Sequence, residues 1–166
     1  MKTTLGENLF TVSGLLSPEE CRVFIERGES IGFEKAAVRT VFGPKMRSDI
    51  RDNDRAAFTD PELAATLWER CRPFVPPELE GGEAVGLDAA FRFYRYDPGQ
   101  QFKRNKDGTV ERSPSEGSRL TRLVYLNEQV TGRQPLSYSD HSSAGDRPEV
   151  ARVPPRSGCP LLSRPA

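Results

Sequence analysis

The side chains that could form a hydrophobic core are concentrated in the first 129 positions of this 166-residue chain. All nine phenylalanines lie at or before Phe102. From Val130 onward the chain has six prolines, six serines, five arginines and its single histidine, His141. A segment so poor in apolar side chains buries too little surface to offset the loss of chain entropy. The sequence therefore predicts one folded region over residues 1–132 and an irregular, disordered tail over residues 133–166.

Composition excludes several classes of partner. Lysine plus arginine equals aspartate plus glutamate at 24 each, so no net charge attracts nucleic acid or an anionic membrane. No apolar run approaches the roughly 18 residues of a membrane-spanning helix, and the N-terminus lacks the apolar core of a signal peptide. Cys21, Cys71 and Cys159 are odd in number and widely spaced, which is typical of reduced thiols. We expect a soluble, cytoplasmic domain.

Two helices are predicted from their caps. Ser17 to Glu20 forms a capping box with proline at the first helical position, which predicts a helix through about Gly28. Asp60 and Pro61 begin the second helix in the same way, and prolines from Pro73 onward end it. The expected buried positions are, in the first helix, Cys21, Phe24 and Ile25, and in the second, Leu63, Leu67, Trp68 and Cys71.

Three strands are predicted from β-forming residues and from alternation. They span Phe33 to Phe42, Phe91 to Tyr96, and Leu120 to Asn127. Two amphipathic helices followed by such strands indicate an α+β fold with the helices on one side of an antiparallel sheet. Asp-Asn-Asp at residues 52–54 is interpreted as a turn, because the glycine and glutamate of a calcium loop are missing.

The segment from Tyr96 to Gly108 combines a strand that ends in tyrosine, a Pro-Gly turn, and Asn105 and Asp107 two positions apart. A second strand, which includes Leu123 to Asn127, ends in Tyr-Leu-Asn. The sequence Leu-Leu-Ser-Pro-Glu-Glu-Cys stands at the beginning of the first helix. In this order, the pieces resemble the Fe(II)/2-oxoglutarate dioxygenases, in particular the prolyl 4-hydroxylase-like branch. The resemblance covers residues 8–132.

This resemblance implies a double-stranded β-helix (jelly roll) with N-terminal supporting helices and with C-terminal strands missing or degraded. It implies an oxidoreductase that hydroxylates a protein side chain or a small molecule with Fe(II), 2-oxoglutarate and dioxygen, and that uses ascorbate to maintain its iron. Tyr96 and Tyr125 would line the 2-oxoglutarate pocket. Asp107 would be the carboxylate ligand of iron, and Asn105 stands where the family has its first histidine ligand.

The iron site departs from the family's pattern at two of its three ligands. Non-haem iron oxygenases hold the metal with two imidazoles and one carboxylate, and the amide of Asn105 is a neutral oxygen ligand that suits harder cations. Relatives continue with Gly-Gly-Glu-Thr and then the distal histidine, whereas this chain reads Thr131 to Pro135, and the surroundings of His141 do not match the motif. No catalytic residue is therefore assigned. The resemblance thus implies an impaired oxygenase or, in the alternative, a non-catalytic remnant or binding domain that keeps the scaffold.

The genetic code offers an explanation for the altered tail. The codons GGG GAG ACA ACC encode Gly-Glu-Thr-Thr, and a shift by one base turns them into Gly-Arg-Gln-Pro, the sequence of residues 132–135. The hypothesis is a frameshift near residue 132, which the coding DNA tests. In the alternative, the tail is in frame, because Pro155 to Leu162 resembles the family's Pro-Arg-x-Gly-x-Ala-Leu-x-Phe strand.

Each piece also has a simpler interpretation. Tyr96 and Tyr125 alone would be strand aromatics that fill a core, and Asp107 with Gly108 alone would be a turn. His141 would be an exposed loop residue. Arg92 and Arg95 could contact an acidic ligand or could be solvated arginines of a strand. It is the ordered combination that favours the oxygenase family.

Overall fold

The computed structural model describes residues 1–6, 9–40, 43–45, 51–79, 81–100, 109–128, 136–138, 149–152 and 156–163. Within these ranges the fold is mixed α+β, with few helices and many short strands. The helices are α1 (Pro18–Ile31) and α2 (Pro61–Cys71), followed by a 3-10 turn (Arg72–Phe74). The strands are β1 (Lys2–Gly6), β2 (Leu9–Val12), β3 (Glu34–Lys35), β4 (Val38–Thr40), β5 (Gly43–Lys45), β6 (Asp54–Thr59), β7 (Glu78–Leu79), β8 (Gly82–Glu83), β9 (Ala90–Arg95), β10 (Glu111–Ser113), β11 (Glu116–Gly117), β12 (Thr121–Val124), β13 (Leu136–Tyr138), β14 (Glu149–Arg152) and β15 (Pro160–Ser163).

The strands form two principal antiparallel sheets. The larger sheet has the order β1-β2-β15-β12, and the smaller has the order β3-β6-β9. The other described strands pair two by two, as β4 with β5, β7 with β8, β10 with β11, and β13 with β14. None of the described sheets closes on itself. The α+β class predicted from the sequence is confirmed, while the jelly roll stays a prediction.

Helix α1 begins at the predicted capping box. Glu20 donates its backbone N–H to Ser17 Oγ at 3.1 Å, and Ser17 donates its own N–H to Glu20 Oε2 at 2.8 Å. The helix ends at Ile31, three residues beyond the predicted end. Cys21 is buried as predicted, but Ile25 is 37% exposed, so its placement in the buried stripe is wrong. Position 28, one turn beyond position 24, faces the sheet instead, because its glycine lets Phe93 approach closely.

Helix α2 is also capped as predicted, since Asp60 Oδ1 accepts the N–H of Leu63 at 2.9 Å. Leu67 and Cys71 are buried together with Ala64, while Leu63 and Trp68 are half-buried. The carboxylate of Asp60 also pairs with Arg27 of α1 at 2.9 Å, so the cap of one helix is joined to the side of the other. Among the described helices, none is long and apolar enough to cross a membrane.

The largest apolar cluster lies where the helices meet the two sheets. Leu16, Cys21 and Leu67 form its buried centre. Half-buried residues from both helices and both sheets pack against that centre, namely Phe24, Leu63, Leu87, Phe91, Val124 and Leu126. The helices therefore cover one side of the sheets and leave the opposite side uncovered by helix.

The predicted strands correspond to shorter observed ones. The segment predicted from Phe33 to Phe42 contains β3 and β4 with Ala36 between them, and Ala36 is buried. The strand predicted from Phe91 to Tyr96 is confirmed up to Arg95, since β9 spans Ala90–Arg95, and Leu120 to Asn127 contains β12. Asp54, the last of the residues 52–54 predicted as a turn, is the first residue of β6, so the turn prediction is wrong at that position.

Three of the described strands, β13, β14 and β15, lie inside the segment for which composition predicts an irregular tail, and β15 belongs to the larger sheet. β15 occupies an inner position of the larger sheet, where Leu162 pairs with Phe10 of β2 and with Arg122 of β12. Leu161 is 8% exposed and Leu162 is 2% exposed, so these two leucines supply the apolar surface that the rest of the tail lacks. The boundary after residue 132 and the frameshift stay predictions.

Candidate functional site

Tyr96 directly follows strand β9, on the side turned away from the helices. Side chains alternate along a strand, and Phe93 packs against Phe24 of α1 with ring centroids 6.4 Å apart. Arg95 likewise reaches Glu29 of α1 at 2.9 Å. Tyr94 and Tyr96 have the opposite parity and are exposed. Their phenols therefore face the uncovered side of the smaller sheet.

Tyr125 is held at the end of β12 and points to the same uncovered side. Its neighbours Val124 and Leu126 both pack into the apolar cluster, so the side chain between them points away from it. The carbonyl oxygen of Tyr125 accepts the N–H of Gly158 at 2.9 Å, which fixes its backbone. The hydroxyl of Tyr125 is buried and has no hydrogen-bond partner among the described residues. A buried hydroxyl without a partner is unfavourable in the free protein.

The structure brings the two predicted pocket tyrosines together. Burial and, to a smaller extent, charge repulsion from Tyr96 together raise the pKa of Tyr125 to about 12, so the two phenols lie within electrostatic range. Burial also raises the pKa of Tyr96, while the charge of Arg51 acts in the opposite direction. Both phenols therefore stay protonated at neutral pH. In that state each can donate a hydrogen bond to an anionic oxygen.

Arg51 lies beside these phenols. The antiparallel register that pairs Asp54 with Arg95 brings the residues before Asp54 alongside Tyr96. The guanidinium carbon of Arg51 lies 4.7 Å above the centre of the Tyr94 ring. Its Nε donates to Asn53 Oδ1 at 2.7 Å. The site thus contains two hydroxyl donors and a positive charge.

The predicted iron ligands lie outside the described residues. Asn105 and Asp107 belong to residues 101–108, and His141 belongs to residues 139–148. Within the described part of the chain, no three side chains of the histidine, cysteine, aspartate and glutamate types are grouped to hold a metal ion. The metal half of the predicted site therefore stays a prediction.

Arg92 and Arg95 have different environments although they share a strand. Arg95 pairs with Asp54 at 3.1 Å and with Glu29 at 2.9 Å, and Lys35 binds the other oxygen of Asp54 at 2.8 Å. The hydrogen bonds from Lys35 and then Arg95 lower the pKa of Asp54. Arg95 is thus part of an ion-pair network that holds α1 to the sheet. Arg92 is exposed.

A half-buried arginine on β12 lies on the helix side of the larger sheet. Arg122 contacts the thiol of Cys71, the last residue of α2, and burial lowers the pKa of the Arg122 guanidinium. Its Nη1 is buried with no hydrogen-bond partner, and no carboxylate of the described residues forms an ion pair with it. Burial in turn raises the pKa of the Cys71 thiol. Burial thus disfavours the charged side chain, the contact with Cys71 acts in the opposite direction, and both lie on the other face from the phenols.

Sequence reasoning identified Tyr96 and Tyr125 but not Arg51 or Arg122. The parity of β12 could have signalled Arg122, because it shares a strand face with Val124. Arg51 precedes a segment interpreted as a turn, and no sequence pattern connects it with Tyr96. Its position follows only from the pairing of β6 with β9.

No protein-family model, curated protein or solved structure matches this chain. A function must therefore be inferred from the residues at the site and from the motifs that Tyr96 and Tyr125 belong to.

Proposed function

We propose that this chain is a domain of the Fe(II)/2-oxoglutarate dioxygenase type, of the prolyl 4-hydroxylase-like branch, which binds 2-oxoglutarate and is impaired in hydroxylation. The observation that carries the proposal is the buried hydroxyl of Tyr125, which has no hydrogen-bond partner among the described residues and lies near Tyr96. A carboxylate oxygen placed there would accept the hydrogen bond that this hydroxyl lacks.

The described residues are suited to the co-substrate. Two phenols, both protonated at neutral pH, would donate to a carboxylate, and the ring of Tyr125 would limit water at that end of the ligand. The sheets around the site are antiparallel, as in a jelly roll, which is the fold that the proposal implies. The helices on the opposite side would support the sheet from behind.

Asp107 and Asn105 would hold the iron in this proposal. Iron held there would supply the oxidative chemistry in which 2-oxoglutarate and dioxygen yield succinate and carbon dioxide while a substrate C–H bond is hydroxylated, and ascorbate would keep the iron reduced. An amide in place of an imidazole weakens the site for Fe(II). We therefore expect hydroxylation of a protein side chain or small molecule to be slow or absent, in a domain that resides in the cytoplasm.

The second candidate is a non-catalytic binding domain, and the asparagine at position 105 favours it. Two measurements separate the candidates. Equilibrium dialysis with labelled 2-oxoglutarate measures binding, and Fe(II)-dependent succinate release measures turnover. Binding without turnover identifies the binding domain, while slow turnover identifies the impaired oxygenase.

The variants make the test specific to the site. Tyr125→Phe should weaken binding of 2-oxoglutarate about tenfold, since one charge-assisted hydrogen bond is lost. Ser30→Ala removes an exposed hydroxyl of α1 on the far side of the sheet and should leave binding unchanged. Absence of 2-oxoglutarate binding by the wild-type chain, with and without Fe(II), would refute the proposal. Asn105→His alone should not restore full turnover, because the distal histidine is still missing.

A further inference from the structure

The turn between β10 and β11 presents a serine followed by proline on an exposed segment. Thr109 to Glu116 are all exposed, and Pro114 and Ser115 form the turn between the two strands. Ser113 is the last residue of β10. Its Oγ contacts Ser115 of the same turn, whose N–H nitrogen and Oγ both lie 3.3 Å away. The hydroxyl of Ser113 is therefore accessible to an enzyme.

The hairpin of β10 and β11 can open without disturbing the core. The two strands have three and two residues, and a hairpin of two short strands is marginally stable in water. None of the apolar clusters of the described residues includes a residue from 109 to 118. Arg112 links the hairpin to Asp88 through an exposed ion pair at 3.4 Å, which contributes little to stability. Local opening of the turn therefore costs little free energy.

We propose that Ser113 is a phosphorylation site for a proline-directed protein kinase. Such a kinase binds its substrate as an extended segment, and it favours proline after the acceptor serine because proline has no N–H to leave unpaired in the enzyme's pocket. Ser113 Oγ attacks the γ-phosphorus of ATP as the bond from that phosphorus to the β–γ bridging oxygen breaks. ADP leaves, and a carboxylate of the kinase accepts the proton of the hydroxyl. This inference is independent of the proposed function, since it uses neither 2-oxoglutarate nor iron.

The sequence has one other serine–proline pair, Ser17 and Pro18, and its environment is different. Ser17 Oγ accepts the N–H of Glu20, and the carboxylate of Glu20 accepts the N–H of Ser17 and pairs with Arg70 of α2. The preceding residue, Leu16, is 6% exposed and belongs to the buried centre of the largest apolar cluster. Presenting Ser17 as an extended segment would require the first turn of α1 to unfold. The structure thus distinguishes two pairs that are equivalent in the sequence.

A phosphate at Ser113 would weaken the pairing of β10 with β11. A phosphoserine carries about −1.5 to −2 charges at neutral pH, and Ser113 pairs directly with Glu116 across the hairpin. Like charges opposite each other on paired strands are destabilising, and the neighbouring Arg112 already pairs with Asp88 and Glu116. Amide hydrogen exchange of residues 110–118 should therefore be faster in the phosphorylated chain, while exchange in α1 is unchanged. Unchanged or slower exchange in the hairpin would contradict this effect.

The test treats the full 166-residue chain with ATP and a purified kinase of the mitogen-activated class, which is proline-directed. Peptide mass spectrometry then locates the phosphate. We expect a mass increase of one HPO3 group per chain, at Ser113. No incorporation, equal or greater phosphate at Ser17, or incorporation only after heat denaturation would overturn the inference. A phosphate at Ser115 alone would overturn it too, because glutamate follows Ser115.

Three variants assign the reaction to the pair of Ser113 and Pro114. Ser113→Ala should abolish incorporation, and Pro114→Ala, which keeps the acceptor, should lower the kinase's kcat/KM at least about tenfold. Pro18→Ala is the matched control, because it removes the other serine–proline pair and should leave incorporation unchanged. Full incorporation in Pro114→Ala, or an equal loss in Pro18→Ala, would contradict the role of the pair. A thermal melt of each variant verifies that folded chains are compared.

Discussion

The backbone N–H of Leu16 donates a hydrogen bond to the carbonyl oxygen of Gly158 across 3.2 Å, and the two backbones are in direct contact. Gly158 has a φ of 68° and donates its own N–H to the carbonyl oxygen of Tyr125. A Cβ at position 158 would overlap the carbonyl oxygen of Leu16 and would lie 2.9 Å from its carbonyl carbon. One glycine thus joins the segment before α1 to the backbone that carries Tyr125.

Gly158→Ala should lower the free energy of unfolding by about 2–4 kcal/mol. The cost combines a left-handed backbone conformation with a clash against backbone, which cannot move as a side chain can. Urea denaturation followed by tryptophan fluorescence measures it. Gly14→Ala is the matched control, because Gly14 has a φ of 74° with nothing within 4 Å of the added Cβ. It should cost only about 1 kcal/mol, and an equal loss in both variants would mean that the contact with Leu16 does not matter.

The helices could be predicted because their signals are local. A capping box and a proline at the first helical position specify where α1 begins without reference to the rest of the chain. The inward face of α1 depended on tertiary packing instead. Gly28 fits against the rings of Phe33 and Phe93, and the sequence of the helix does not predict that these rings lie there. Ile25 was consequently predicted to be buried and is exposed.

Only the residues of the site that belong to sequence motifs could be predicted. Tyr96 and Tyr125 belong to patterns that a single sequence shows, and the structure brings their phenols within electrostatic range. Arg51 joins them through strand pairing between residues about forty positions apart, which composition and periodicity do not encode. Composition missed β15 for a related reason, since two leucines among prolines and serines form a strand only when β2 and β12 flank them, and only the resemblance of Pro155 to Leu162 to a strand of the family pointed to it.

Leu162→Ala should lower the free energy of unfolding by about 2–4 kcal/mol, because Leu162 is 2% exposed and packs against Phe10 and Val12. Leu123→Ala is the control on the adjacent strand, where the leucine is 37% exposed and about 1 kcal/mol or less is expected. Chemical denaturation of the 166-residue chain measures both. A negligible effect of Leu162→Ala would contradict the strand β15 and would support the irregular tail that composition predicts.

Arg122→Met should raise the free energy of unfolding by about 1–3 kcal/mol. The guanidinium is buried with Nη1 unbonded and without a carboxylate partner among the described residues, so the folded state carries an uncompensated desolvation cost. Methionine keeps a similar length and packs against Cys71 without charge. Arg92→Met, at an exposed position of β9, should change stability by less than about 0.5 kcal/mol. A loss of stability in Arg122→Met would show that the contact with Cys71 is favourable on balance.

Tyr125→Phe should stabilise the free protein and should weaken the binding of 2-oxoglutarate. Removing a buried hydroxyl that has no partner among the described residues relieves a desolvation cost of about 1 kcal/mol or more. Thermal unfolding without ligand should therefore occur at a higher temperature, whereas the stabilisation produced by saturating 2-oxoglutarate should be smaller than in the wild type. Tyr94→Phe removes an exposed hydroxyl and should leave the free stability unchanged. Destabilisation of the free protein by Tyr125→Phe would mean that the hydroxyl is satisfied within the fold.

Alkaline pH should affect the wild type and Tyr125→Phe differently. Burial raises the pKa of Tyr125 to about 12 in the folded chain, compared with about 10 for an unfolded tyrosine. Between these values the unfolded chain has lost the proton and the folded chain keeps it, so unfolding releases a proton and stability falls as pH rises. The slope approaches about 1.4 kcal/mol per pH unit in that interval and is absent below about pH 9.

Lysines titrate in the same range, so the quantity to measure is the difference in unfolding free energy between Tyr125→Phe and the wild type. Denaturation at a series of pH values should give a constant difference up to about pH 9 and a growing advantage for phenylalanine from about pH 10 to 12. A difference that stays constant over the whole range would place the Tyr125 hydroxyl in water in the folded chain. The burial of that hydroxyl would then contribute nothing to the affinity for a carboxylate ligand.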